Sequence, residues 1–146
     1  MNQFIRHLIL ILGLLLTPLA NSAAPALSIN GAYSPEAPPV VKVLAAYMMI
    51  ENKSANEIKI TAIQSPDFDQ VEIHRIDSHD GMMRMVKQEH LTIPAGKVIS
   101  LSPGELHIML LQPHRTFKDG DVISLQLTLN NGTQQTINVP VRKRNL

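Results

Sequence analysis

The sequence contains no cysteine. That absence excludes disulfide stapling, thiolate metal ligands, a cysteine nucleophile and thiol redox chemistry, and with them a lipid anchor built on an N-terminal cysteine. Tryptophan is missing too, and three Phe and two Tyr are the whole aromatic complement, so the core must be aliphatic and methionine. Neither sign of charge dominates. Thirteen Lys and Arg stand against twelve Asp and Glu, and nothing in that balance draws a nucleic acid. The short "RKR" at residues 142–144 reads as a solvated chain end.

Long apolar runs are also lacking, except at the start. "MNQFIRHLILILGLLLTPLANSAAPA" sets Arg6 and His7 before an apolar stretch from Leu8 to Leu16, followed by Pro18 and a cluster of small residues. This pattern predicts a cleaved signal peptide over residues 1–23, with cleavage near Ala23 or Ala24 and Ser22 as a further option. The apolar core falls short of the roughly 20 residues that span a bilayer, so no membrane span is expected in the mature form. Residues 24–146 remain, a length suited to a single domain with one core.

The dominant period after Ala26 is two. "DVISLQLTL" puts Ile123, Leu125, Leu127 and Leu129 on one face and Ser124, Gln126 and Thr128 on the other, the signature of a half-buried strand. "EIKITAI" and "TINVPV" alternate likewise, and Pro140 in the second predicts an edge or strand end. "VVKVLAAYMMIEN" is apolar on both parities, which predicts a central strand covered on both faces, with Met48 and Met49 as core. Turn residues separate these runs at "SPEAPP", "SPDF", "DG", "IPAG", "SPGE", "KDGD" and "NNG". The expected fold class is all-β, an antiparallel sandwich or barrel with Greek-key links.

Only one constellation carries chemistry. It consists of "HRIDSHDGMMRM", His74 to Met85, and "HIM", His107 to Met109. If Asp80 and Gly81 form a two-residue hairpin loop, His74 faces Lys87, and His74, Ile76, Met85 and Lys87 share a face; a loop one residue earlier would set His74 directly opposite Met85. On the other segment His107 and Met109 share one face while Leu106, Ile108 and Leu110 share the other. If the two faces meet, two imidazoles and two thioethers form a His2Met2 site. Thioether sulfur is soft and neutral, so such a set selects cuprous copper over zinc, magnesium or calcium, and imidazole also accepts the cupric ion. A blue-copper centre is excluded because it needs cysteine.

Other residues carry less. Met82 reads as surface or core packing, Met83 is open between packing and an auxiliary thioether beside the site, and His79, His90 and His114 read as solvated. No GxSxG, HExxH, P-loop or EF-hand pattern is present. A copper redox enzyme is disfavoured because no acid/base pair or substrate pocket can be identified. An exported β-sandwich adhesion or assembly module, with methionines serving only as packing, is the alternative from a different class.

The spacing of His74, Met85, His107 and Met109 is H-x10-M-x21-H-x-M, and it resembles that of the periplasmic PCuA(C) copper chaperones. "AAYMMIEN", "GMMRM", "LSPGELHIMLL" and "FKDGDVISLQLTL" follow in the family's order, so the resemblance runs from about Ala26 to Val141. It implies a cupredoxin-like Greek-key β-sandwich, not an enzyme, in the periplasm, with His74, Met85, His107 and Met109 as copper ligands. It further implies copper delivery toward the copper centre of cytochrome c oxidase, alongside a thioredoxin-like copper chaperone. Arg75 departs from the acidic residue common in relatives after the first histidine, and "RKRNL" lacks the His- and Met-rich tail that some of them carry.

Overall fold

The computed structural model describes residues 25–143. The expected signal peptide and its cleavage site lie outside the described residues, as do the last three positions of the "RKRNL" tail. Ten strands follow in chain order: β1 (Leu27–Pro35), β2 (Val43–Asn52), β3 (Ile58–Gln64), β4 (Phe68–His79), β5 (Met82–Gln88), β6 (Leu91–Ile93), β7 (Val98–Leu101), β8 (His107–Pro113), β9 (Val122–Leu129) and β10 (Gln134–Arg142). The spatial order is β5-β4-β8-β2-β1-β10-β9-β3-β6, with β7 on the same edge of β2 as β8.

Two layers arise from this order. One holds β5, β4, β8, β7, β2 and β1, and the other holds β10, β9, β3 and β6. Pairing is antiparallel everywhere except at the seam, where β1 and β10 run parallel through Ser34 with Val141 and Pro35 with Arg142. The antiparallel expectation therefore fails at that one short contact. A closing seam joins strands from different hairpins, and no turn dictates their relative direction.

The alternating strands bury the faces that their sequence predicts. Ile123, Leu125, Leu127 and Leu129 of β9 meet Leu44, Ala46, Met48 and Ile50 of β2 and Ile108 and Leu110 of β8 in one core. At roughly 25 cal/mol per Å² of apolar area, burial on this scale holds the sandwich together without disulfides. Pro140 sits at the end of the β9 ladder, opposite Val122, as expected of a residue without an amide hydrogen.

β2 corrects one expectation. It is central, flanked by β1 on one edge and by β7 and β8 on the other, but only one of its faces is fully covered. Met48 is 2% exposed, whereas Met49 is 47% exposed and is not core. Adjacent strand residues point to opposite faces, so two consecutive methionines cannot both enter a one-sided core. Tyr47, on the same outer face as Met49, packs its ring 5.3 Å from that of Tyr33. A bulge in β1 at Gly31 (φ 61°) makes that pairing possible, because the register shifts between Asn30 and Tyr33.

Candidate metal centre

The hairpin of β4 and β5 turns on Asp80 (φ 51°) and Gly81 (φ 75°), both in the left-handed region that a two-residue type I′ loop requires. This selects the first of the two registers. His79 pairs with Met82, Ile76 with Met85, and His74 with Lys87. The register that would put His74 directly opposite Met85 is not adopted; Met85 is its diagonal neighbour on the same face.

On its other edge β4 pairs with β8, setting His74 opposite His107 and Glu72 opposite Met109. The parity rule then collects the candidate residues on the outer face of three adjacent strands: Met85 on β5, His74 on β4, and His107 and Met109 on β8. Neighbouring strands stand about 4.8 Å apart, so these side chains come from a strip some two strand spacings wide. The imidazole centroids of His74 and His107 are 6.1 Å apart. Met85, His107 and Met109 line one cavity of about 300 Å³, which Tyr47, Ile76 and the segment at Glu36–Pro38 also border. Leu106, Ile108 and Leu110 face the core, as predicted.

Burial grades across this strip. His107 is only 6% exposed, Met109 is half-buried and Met85 is 52% exposed. The site is anchored in the sandwich at the histidine end and open to solvent at the hairpin. Met83 lies on the same face as Met85, two pairs nearer the tip and opposite Ser78, and is 75% exposed.

Hydrogen bonding dictates which ring nitrogen each histidine keeps free. Nδ1 of His107 lies 3.0 Å from the Glu105 carbonyl oxygen, which can only accept, so Nδ1 carries the proton and donates. The Nε2 lone pair is left over. His74 is the mirror case: its Nε2 lies 2.8 Å from Oε2 of Glu72. The Lys87 ammonium bonded to the other carboxylate oxygen holds Glu72 below the usual carboxylate range, with the His74 hydrogen bond as the next cause. An ionised carboxylate only accepts, so Nε2 of His74 donates. The lone pair then sits on Nδ1, which is buried with no hydrogen-bond partner among the described residues. Leaving such an atom unpaired costs about 1–3 kcal/mol, a cost that a bound ion would offset.

Glu72 and Lys87 were not predicted as part of the centre. A signal existed, since Glu72 precedes His74 by two and so shares its face. Arg75 points to the opposite face and pairs with Val86, away from the histidines. His79 and His90 are exposed as expected. His114 is exposed but not simply solvated: its Nε2 lies 2.7 Å from Oδ1 of Asp69, and its Nδ1 lies 3.1 Å from the Pro66 carbonyl oxygen. Among the described residues no group of three or more His, Asp or Glu is arranged to hold an ion.

A family model described as "Putative lipoprotein LpqE-like" matches residues 27–141, nearly the whole described chain. The chain belongs to the LpqE-like family. The curated relative RP573 of Rickettsia prowazekii (strain Madrid E) is 28% identical over 102 residues. That match covers 69% of this chain and 56% of the relative, so the chain spans just over half the length of the relative. Among solved structures, "CuI-DR1885 from Deinococcus Radiodurans" is 27% identical with a TM-score of 0.64, over 86% of this chain and 84% of that one. The "Copper-bound PCuAC domain from PmoF2" is 16% identical with a TM-score of 0.70, over 84% of this chain and 97% of that one. The expected resemblance to PCuA(C) domains is thus borne out, and this LpqE-like chain has their cupredoxin-like β-sandwich. Among the described residues no helix is long and apolar enough to cross a membrane.

Proposed function

We propose that this LpqE-like protein binds cuprous copper through His74, Met85, His107 and Met109 and passes it to acceptor proteins. The observation that carries the reading is the outer face of β4 and β8. Two histidines oppose one another there beside two thioethers, each with one ring nitrogen bonded to an acceptor, and the other nitrogen of His74 is buried without a partner among the described residues. Similarity to solved copper-bound domains supports the choice of metal. Neutral imidazole and thioether ligands suit a soft monovalent ion and hold it without a thiolate.

The half-exposed Met85 suits transfer, because an incoming ligand can replace a thioether at the open end while the buried His107 still holds the ion. Delivery needs no acid/base chemistry, so the reading is of a carrier and not an enzyme. Residues 1–23 act as the export signal and residues 24–146 as one copper-binding domain in the periplasm. The acceptor is the copper centre of cytochrome c oxidase, with a thioredoxin-like copper chaperone alongside.

Competition with a chromogenic cuprous chelator tests the site. Replacing His107 with Ala and Met109 with Leu together should abolish tight binding, and retained affinity would sink the assignment. An adhesion module would carry no copper after expression in copper-supplemented medium.

A further inference from the structure

The two histidines of the centre are held in opposite tautomers, and the devices that hold them differ in kind. His107 is fixed by a backbone carbonyl of its own strand approach, at Glu105, which no side-chain substitution removes. His74 is fixed by a side chain. Glu72 bridges it to Lys87, one oxygen accepting from the ring and the other from the ammonium. All three lie on one face, Glu72 two residues before His74 and Lys87 directly across the hairpin. We propose that Glu72 and Lys87 form a positioning pair that presents Nδ1 of His74, and not Nε2, to the metal.

The argument rests on donor and acceptor inventories. The Lys87 ammonium has donors only, so it claims an acceptor from whichever residue stands at 72. A carboxylate has two acceptor oxygens and serves both neighbours at once, which leaves Nε2–H of His74 as donor and Nδ1 as lone pair. A carboxamide has a single acceptor oxygen. With Lys87 occupying it, the amide NH2 turns toward His74 and requires Nε2 to accept, which moves the ring proton to Nδ1 and blocks the ligand atom. As long as Lys87 is present, the residue at 72 must therefore be a carboxylate, although neither residue touches the metal. The buried, unpartnered Nδ1 is independent support for the assignment.

This inference rests on the copper-binding reading, and its test separates the two. In the metal-free protein, long-range 1H–15N correlation of the His74 ring should show Nε2 protonated and Nδ1 bare. Glu72→Gln should move the proton to Nδ1 and Glu72→Ala should give a mixture, while the backbone amide spectrum stays folded. Adding Lys87→Met to Glu72→Gln frees the carboxamide oxygen to accept from the ring, which should restore the wild-type tautomer. Cuprous affinity should fall about ten- to a hundredfold in Glu72→Gln, the usual loss when a ligand's hydrogen-bond partner is removed. It should recover in the double variant. An unchanged tautomer in both single variants overturns the proposal, as does a moved proton with unaltered affinity. Loss of the copper-binding reading itself would appear instead in the His107 and Met109 double variant, whatever the tautomer of His74.

Discussion

Side chains of one type divide sharply at the residue scale. Met48 and Met49 are neighbours in sequence, yet one is core and the other faces solvent, while Met85 and Met109 share an outer face with two histidines. Asn52 shows what a buried polar residue must do. Its Nδ2 donates to the carbonyls of Asn56 (2.7 Å) and Ile93 (2.9 Å), and its Oδ1 accepts from the amide (3.0 Å) and hydroxyl (2.7 Å) of Ser54. Every polar valence is satisfied, and the end of β2 is tied to β6. Asn52→Ala leaves those partners unpaired, so it should cost about 2–3 kcal/mol, read as a lower urea midpoint with an unchanged slope. Met48→Leu, a volume-conserving core change, should leave copper affinity untouched, whereas Met85→Leu should weaken it; the chelator competition assay distinguishes them.

At the element scale the hairpin of β4 and β5 stands apart from the rest. No residue of β5 is buried, and among the described strands it pairs with β4 alone, so it contributes the candidate ligand Met85 and little core. Its geometry depends on Gly81. A Cβ there would meet nothing within 4 Å, so any penalty for a larger residue is conformational and not steric crowding. For Gly81→Val the left-handed backbone should cost about 1–2 kcal/mol. Because β5 buries so little, the cost should fall on ordering of the arm and not on global stability. We expect cuprous affinity to fall about tenfold, the equivalent of some 1.4 kcal/mol, while the urea midpoint moves little. A large drop in the midpoint would show that the arm supports the core.

For the whole molecule, the end of the sandwich remote from the hairpin tip carries a charged cluster. Arg115 lies 4.0 Å over the Phe117 ring, which stacks on Phe68, and it reaches Asp67 and Asp121. His114 joins the exit of β8 to Asp69 near the start of β4. Its hydrogen bond to Asp69 raises its pKa above 6.5, with a smaller contribution from the Pro66 carbonyl. A raised folded value means that protonation favours the folded state. The stabilisation is fully present below about pH 6.5 and is lost as pH rises through the folded value. Wild-type protein should therefore exceed His114→Gln in melting temperature at pH 5.5 by more than at pH 8, a small gap at this exposed position. Equal gaps at the two pH values would refute the linkage.

Much of this was legible along the chain because strand parity is a local property. "DVISLQLTL" declares its buried face without reference to any other segment, and "HIM" declares that His107 and Met109 lie together away from Leu106, Ile108 and Leu110. Asp80-Gly81 narrowed the hairpin to two registers, since few residue pairs accept a left-handed backbone. Covering was not legible. The apolar run from Val43 to Ile50 reads as buried on both sides, yet composition carries no information about whether a second layer lies against each face.

What the sequence by itself determined is an all-β chain without disulfides, with two His–Met pairs at set spacing, because periodicity and residue chemistry act within a few positions. What only the tertiary structure decided is which strands lie side by side. The pairing of β4 with β8 sets His74 against His107 and Glu72 against Met109. Those pairings join residues up to 45 positions apart (Phe68 and Pro113). The register of β4 against β8 follows from burying Ile73, Ile108 and Leu110 in the common core, a requirement that exists only when the whole sandwich is assembled, whereas that of β4 against β5 is set by the local Asp80–Gly81 turn.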